Sequence, residues 1–131
     1  MHKKMKIKIT FKPKESKPID LQCEIAKTLG QKTRGLMNRE SLPEDQGMFF
    51  PFMVSWIRLF WMKNVKIPLD IIFINRQKRI IAIYEAPVEK GFFLRNYWSK
   101  GFCKYVVECN MGFCKKHNIS KGTIIEIKKE N

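Results

Sequence analysis

Apolar and polar residues alternate along the first part of the chain. Residues 5–12 place an apolar side chain at every second position, with lysine or threonine between, and residues 19–26 repeat this period of two. The pattern is typical of strands with one buried face. We predict that the two segments form strands that pair with each other. The lysine-rich first strand suits a sheet edge, where charge discourages pairing with other molecules.

The period changes between Lys27 and Arg39. Thr28 and Gln31 have the spacing of a capping box, in which each side chain satisfies the other's backbone N–H. Apolar residues after them fall on one side of a helix. The segment therefore predicts a short helix.

A second short helix is predicted over residues 111–117. Asn110 is a candidate N-cap, and Asn118 suits the left-handed conformation that often ends a helix. Further strands are predicted at residues 48–52, 79–84, 105–109 and 123–127.

The segment FWMKNVKIPLDIIFI, residues 60–74, predicts a central hairpin. Two apolar runs, 59–62 and 69–74, flank a turn-forming centre that contains Pro68. Asp70 interrupts the second run. A buried carboxylate without a partner is costly, so we expect Asp70 to accept a hydrogen bond from Lys63 or from a backbone N–H.

Residues 53–58 and 85–101 are harder to assign. The first segment reads as a loop that is too apolar for ordinary exposure, and the alternative is that it folds back and is buried. The second reads as a long loop in which aromatic residues alternate with cations. These residues form a candidate surface for a partner or nucleic acid, or are the loop's own anchors. The surface comprises Trp56, Phe92, Phe93, Arg95, Tyr97, Trp98 and Lys100.

The net charge of +14, from 26 Lys and Arg against 12 Asp and Glu, is high for 131 residues. Such a charge attracts RNA, DNA, anionic membranes or acidic partners. The alternative is a lysine-rich composition with solvated faces. The chain length fits a single domain, residues 1–131, with a charged tail at 128–131.

The chain shows no secretory signal, and its longest apolar stretch, residues 48–62, is too short and too interrupted to span a membrane. The sequence therefore predicts a soluble, cytoplasmic protein with reduced thiols. One metal site deserves weighing, because Cys114 and His117 lie three apart on the second predicted helix. Its full set would be Cys103, Cys109, Cys114 and His117, whose spacing is unlike a C-x-x-C knuckle. We expect no metal and no cofactor.

Several motifs resemble the domain of unknown function 192 family. They are Arg34-Gly35-Leu36-Met37, Gly47-Met48, Phe60-Trp61-Met62-Lys63-Asn64, Ile67-Pro68-Leu69-Asp70-Ile71 and Tyr105-Val106-Val107-Glu108. The similarity covers roughly residues 19–127. It implies a small β-rich fold without an established activity. With the strand pattern, it predicts an α+β domain of mostly antiparallel strands, a partly closed barrel of about seven to eight strands with two short helices.

Carried over from this resemblance, the polar motif positions are Arg34, Lys63, Asn64 and Asp70. They either satisfy one another as a structural network or converge on a pocket for an anion. In the pocket, Arg34 and Lys63 would bind the anion and Asn64 would orient it. This chain departs from the family pattern at Val65, at Thr123 and in the apolar segment 53–58.

Three function classes follow. The leading one is a non-enzymatic module that binds a small anionic ligand or a protein partner, because no nucleophile or cofactor motif stands out. The second is nucleic-acid binding through the basic, aromatic surface. The third is an acid/base enzyme that uses Asp70 and Lys63. A membrane-surface role for Trp56 and its apolar neighbours is a fourth.

Overall fold

A computed structural model of the chain describes residues 5–91 and 94–129. The strands are β1 (Lys6–Lys12), β2 (Ile19–Ile25), β3 (Gln46–Trp56), β4 (Leu59–Phe60), β5 (Leu69–Ile74), β6 (Ile80–Ala86), β7 (Tyr97–Trp98), β8 (Cys103–Asn110) and β9 (Ile124–Lys129). The helices are α1 (Leu29–Arg34) and α2 (Phe113–Lys116). This confirms a β-rich α+β fold with two short helices.

Seven strands form one sheet in the order β6-β5-β8-β3-β2-β1-β9, while β4 and β7 form a separate pair. Every neighbouring pair in the large sheet is antiparallel except β2 and β3, which run parallel. The predicted pairing of the first two strands is confirmed. The edge position predicted for β1 is wrong, because β9 pairs along its other side.

The two edges of the sheet meet at one end. Arg79, just before β6, forms an antiparallel bridge with Ile124 at the start of β9. The Ile80 N–H donates to the Thr123 carbonyl at 2.9 Å, and the Ile125 N–H donates to the Lys78 carbonyl at 2.9 Å. These contacts close the sheet over part of its length, which confirms a partly closed barrel.

The curved sheet buries an apolar cluster on each face. Inside the barrel, β1, β2, β5 and β8 pack together, and α2 covers them with Phe113. On the outer face, the residues that follow α1, among them Leu36, and the segment after β4 cover β3, β5 and β8. Because side chains alternate along a strand, Val107 of β8 points into the inner cluster and Val106 into the outer one. Both faces of β8 are therefore buried.

The predicted central hairpin is wrong. β4 pairs with β7, through Leu59 opposite Trp98 and Phe60 opposite Tyr97, and not with β5. The residues between β4 and β5 instead contribute Met62 to the outer cluster. The segment serves as a cover for the sheet, since its apolar side chains gain more by burial there than by exposure in a hairpin.

Residues 53–58 are not a buried loop. Strand β3 continues to Trp56, and it carries Met53 with 94% of its surface exposed and Val54 with 64%. A register shift between Pro51 and Trp56 carries this part of β3 away from regular pairing with β8. The strand thus extends beyond the core that covers its first half.

The two helices differ in how well the sequence predicts them. The capping box of Thr28 and Gln31 is confirmed at the start of α1. Asn110 does not cap α2, because its side-chain amide donates to the Leu42 carbonyl at 2.7 Å and Gly112 occupies the cap position. Asn118 has the predicted left-handed backbone, with φ of 56°.

The four cysteines are free and buried, as predicted for reduced thiols. Within residues 5–91 and 94–129, no helix is long and apolar enough to cross a membrane.

Candidate ligand-binding cavity

A cavity of about 390 Å³ opens on the outer face of the sheet. Helix α1 lines one side with Lys32 and Arg34, and β3 supplies Phe50 and Phe52. The segment from Ile57 to Lys63 lines the opposite side, and Glu108 of β8 also lines the cavity. Cavities of this size accept small molecules.

Glu108 is a carboxyl buried in the middle of the sheet. β8 is a central strand, and Glu108 pairs across it with Met48 of β3 and Ile71 of β5. Only 4% of the residue is exposed, and burial raises the pKa of its carboxyl to about 8. Within the described residues, no side chain or backbone group hydrogen-bonds to this carboxyl. Burial therefore favours the protonated form of this carboxyl near neutral pH, and the O–H of that form is a donor that faces the cavity.

Gly35 holds the space beside Glu108 open. The residue follows α1 with φ of 46°, a left-handed conformation that favours glycine. A Cβ atom here would lie 3.8 Å from Glu108 Oε1 and 3.5 Å from Phe50 Cζ. A larger side chain would therefore lie directly against the carboxyl and occupy this end of the cavity.

Cations are crowded around the cavity entrance. Lys32 Nζ lies 4.3 Å and Arg58 Cζ lies 3.9 Å from the centroid of the Phe52 ring. Burial, and then the Arg58 charge, lower the pKa of Lys32, and burial also lowers the pKa of Arg58. Arg58 Nε is buried without a hydrogen-bond partner in the described structure. Among the described lining residues Glu108 is the only acid, so this positive charge is uncompensated.

The structure brings together two of the four residues that the sequence predicts as a ligand site. Arg34 and Lys63 both line the cavity, whereas Asn64 does not. Asn64 is an exposed turn residue with φ of 60°, and its carbonyl accepts from the Asn38 N–H at 2.8 Å.

Asp70 lies on the opposite face of the sheet. Its carboxylate accepts from the Cys114 N–H at 2.9 Å and from the Gly112 N–H at 3.3 Å. Burial raises its pKa, and these two hydrogen bonds oppose the rise. The expected partner of Asp70 is thus a backbone N–H and not Lys63. The four residues form neither one network nor one pocket.

The aromatic, cationic segment is partly an anchor. Tyr97 is buried against Tyr84, with ring centroids 5.3 Å apart, whereas Trp98 is 46% exposed. Arg95 lies 5.9 Å from the Tyr97 ring and Lys100 lies 5.3 Å from the Tyr84 ring. Phe92 and Phe93 lie outside the described residues. The role of this surface in binding stays a prediction.

The candidate metal ligands are divided between the two clusters. Cys103 lies in the outer cluster, while Cys109 and Cys114 lie in the inner one. His117 packs its ring against Phe113, with centroids 4.7 Å apart. In the part of the chain that the structure describes, no group of three or more metal-ligating side chains comes together.

Glu108 is the site residue that sequence reasoning missed, although it lies within a quoted motif. An acid in the middle of an apolar strand was the signal used for Asp70, and it applies equally to Glu108. The alternation of β8 places Glu108 on the face opposite Val107 and Cys109, and the alternation alone does not show whether that face is buried. Only the apolar residues that pack on this face from other segments, such as Leu36 after α1 and Met62 after β4, show that it is buried.

Comparison with known families supports the resemblance. The family model DUF192, described as "Uncharacterized ACR", matches residues 9–127. This chain belongs to the DUF192 family. A search of curated proteins found no match to it.

Two solved structures share the fold. A Sinorhizobium meliloti protein, provisionally described as a transcription regulator, has a TM-score of 0.86 and 30% identity, covering 96% of both chains. A Novosphingobium aromaticivorans protein of unknown function has a TM-score of 0.84 and 28% identity, covering 92% of this chain and 84% of its own. The motifs that carry the DUF192 resemblance supply Arg34, Gly35, Lys63 and Glu108 to the cavity.

Proposed function

We propose that this DUF192 protein is a binding module for a small anionic molecule with a planar, apolar body. The observation that carries the proposal is the buried carboxyl of Glu108, which lines a cavity whose other charged residues are all cations. Polar groups at this depth normally have a hydrogen-bond partner. A ligand that enters the cavity supplies one.

The electrostatics favour an anion. Lys32 and Arg58 approach the same Phe52 ring, and the lowered pKa of both groups reflects charge that is costly to hold there. An anion beside these groups would restore their pKa values and remove the mutual repulsion. Arg34 and Lys63 line the same cavity and add to its positive potential.

The walls favour a planar body for the ligand. Phe50 and Phe60 pack edge to face at 5.0 Å, and Phe52 and Phe60 pack at 6.4 Å. These rings line the cavity together with Trp61. Flat apolar ligands bury surface area against such walls. A polar atom at the inner end of the ligand would accept a hydrogen bond from the Glu108 O–H.

The test is a fluorescence titration with 1-anilinonaphthalene-8-sulfonate, an aromatic anion. We expect the Lys32→Gln variant to bind this probe about tenfold more weakly, because a charge-assisted contact is lost. Lys17→Gln removes the same charge from an exposed loop that does not line the cavity, so its affinity should equal that of the wild type.

A matched ligand separates charge from packing. N-phenyl-1-naphthylamine has the same rings without the sulfonate, and its affinity should be weaker and insensitive to Lys32→Gln. Equal losses of sulfonate binding in the Lys32 and Lys17 variants would contradict the proposal, since net charge alone would then explain the binding.

The other two function classes have less support. Tyr97 is buried and so is not free to stack on bases, and an acid/base pair of Asp70 and Lys63 would span two different cavities. The description of the Sinorhizobium meliloti relative keeps nucleic-acid binding as the second candidate. This second candidate is tested by adding single-stranded RNA in place of vesicles in the tryptophan-emission experiment.

A further inference from the structure

A group of large apolar side chains is exposed beside the cavity and forms what we call the apolar patch. It consists of Met53, Val54, Trp56, Trp61, Trp98 and Phe102. Their exposed fractions range from 43% for Trp61 to 94% for Met53. Clusters of exposed apolar side chains on a small domain mark an interaction surface.

Contacts between separate segments bring strands that carry the patch close to one another. The rings of Trp56 and Phe102 stack with centroids 5.6 Å apart. Leu59, itself 63% exposed, lies opposite Trp98 in the β4–β7 pair, so both side chains share a face. Lys104 Nζ donates to the Met53 carbonyl at 2.8 Å, which ties β8 to the end of β3.

The side chains of the patch are of the kind that enter a lipid interface. All three tryptophans of the chain, Trp56, Trp61 and Trp98, belong to it. Tryptophan combines an apolar ring with an N–H and accumulates where hydrocarbon meets head groups. Met53 and Val54 carry no polar side-chain group, so each gains free energy when it leaves water.

The charge around the patch is mainly positive, although Glu40 lies 3.6 Å from Lys66 and the Glu89 carboxylate accepts from the Arg95 N–H. Residues 46–69 and 90–107, which supply every side chain of the patch, contain no aspartate or glutamate. The same stretches contain seven cations, namely Arg58, Lys63, Lys66, Lys90, Arg95, Lys100 and Lys104. Each Lys or Arg held near an anionic membrane adds to the electrostatic attraction. The surface is therefore complementary to anionic head groups.

We propose that the apolar patch docks on an anionic phospholipid surface, with Met53, Trp56 and Trp98 in the interface and the surrounding cations on the head groups. Two signals, an apolar insertion and a basic surround, are what stable attachment to a membrane surface requires. The docking surface shares Arg58, Trp61 and Lys63 with the cavity lining, but docking does not require a ligand in the cavity.

Other partners fit the patch less well. Nucleic acid would stack on Trp98, but it offers nothing apolar to cover Met53 and Val54, which are among the most exposed residues of the patch. A protein partner would have to be acidic around an apolar centre to match the seven cations of these stretches. An anionic bilayer offers an apolar interior beneath a negatively charged surface, and it does so over an area of any size.

The experiment is flotation of the full chain with vesicles of phosphatidylcholine and phosphatidylglycerol at 7:3, in about 0.15 M salt. Because every tryptophan lies in the patch, a blue shift of the intrinsic emission should accompany binding. Pure phosphatidylcholine vesicles should bind at least tenfold more weakly. Higher salt should weaken binding without abolishing it, since the apolar insertion is not screened.

The critical variant is Met53→Asp, with Met53→Ser as a milder second change. Met53 is 94% exposed and outside the cavity lining, so both variants should keep the wild-type melting temperature. We expect Met53→Asp to lower the vesicle partition coefficient about tenfold. Met5→Asp makes the same change at a methionine that is 59% exposed and outside the patch, and should bind as the wild type does.

Three outcomes would overturn the proposal. One is vesicle binding that is absent, or equal in Met53→Asp and Met5→Asp. A second is a shift of the tryptophan emission with single-stranded RNA but not with vesicles. If Met53→Asp abolished that shift, the patch would be assigned to nucleic acid. A third is self-association at micromolar concentration that Met53→Asp abolishes without any vesicle binding, which would make the patch a contact between copies of the chain.

Discussion

Glu108 and Asp70 are two acids on opposite faces of one sheet, and their surroundings give them different roles. Asp70 accepts hydrogen bonds from two backbone N–H groups, whereas no described group bonds to Glu108. Both residues are almost fully buried, with exposures of 1% and 4%. A paired buried acid is structural, while an unpaired one that faces a cavity is free to meet a ligand.

The unfolding free energy should carry the signature of Glu108. Its pKa rises from 4.5 to about 8 on folding, so the folded state binds more protons between these values. The contribution of Glu108 to the unfolding free energy is fully present below pH 4.5 and is lost as the pH rises through 8. At about 1.4 kcal/mol per pKa unit, the loss is roughly 3 to 5 kcal/mol. Urea unfolding at pH 5 and pH 9 should show that Glu108→Gln, which cannot ionise, lacks this loss.

The same ionisation should be visible in ligand binding. Above pH 8 the Glu108 carboxylate would repel the sulfonate probe and lose its donor, so wild-type affinity should fall while that of Glu108→Gln stays level. A wild-type stability curve parallel to that of Glu108→Gln would contradict the assignment of this carboxyl as buried and unpaired.

Asp70→Asn tests the structural role of the other acid. The amide retains one acceptor oxygen but turns its NH₂ group toward a backbone N–H of Gly112 or Cys114, so one hydrogen bond is lost. We expect a loss of about 2 kcal/mol in unfolding free energy. Binding of the sulfonate probe should not change, because Asp70 does not line that cavity.

Asp45→Asn is the control for this change. Asp45 is exposed, so its amide variant should unfold at the wild-type denaturant midpoint. If Asp70→Asn were as stable as this control but lost probe binding, Asp70 would belong to the ligand site. The assignment of a structural role to Asp70 would then be wrong.

Among the elements, β3 depends on a glycine at its crowded start. Gly47 pairs with Cys23 in the parallel β2–β3 pair and with Cys109 of β8. A Cβ atom at Gly47 would lie 2.5 Å from the Glu108 carbonyl oxygen, a contact with backbone that the sheet relieves only by moving a strand. The close approach of β8 to β3 therefore requires glycine at this position.

We expect Gly47→Ala to lower the unfolding free energy by about 2 to 3 kcal/mol, the usual cost of overpacking. Gly101→Ala is the control, because the added Cβ would make an ordinary contact of 3.8 Å with Ile81 Cδ1. Melting temperatures of the two variants compare them directly. A Gly47→Ala variant that melts with the Gly101→Ala variant would show that β8 can shift without cost.

At the scale of the whole molecule, the net charge of +14 is not spread evenly along the chain. The stretches 46–69 and 90–107 hold seven cations and no acid, and of these cations Lys66 pairs with Glu40. Other exposed cations also pair with acids, as Lys12 does with Glu126 and Lys116 with Glu44. Exposed pairs of this kind contribute little to stability. The cations without acids nearby are therefore the ones available to a ligand or to a membrane surface.

The sequence by itself determined the local elements. The period of two marked β1 and β2, and the capping box marked the start of α1, because a strand face and a helix cap depend on residues close together in the chain. Arg34 and Lys63, which line the cavity, were also singled out from the sequence through the motifs they belong to.

Only the tertiary structure decided which strands pair and what covers each face. The choice of β7 over β5 as the partner of β4 and the parallel β2–β3 pair depend on contacts between distant segments. The same is true of Glu108, because the alternation of β8 is compatible with a solvated or a buried face until Leu36, Met62 and their neighbours pack on it. Burial is a property of what packs against a residue, and no local pattern contains it.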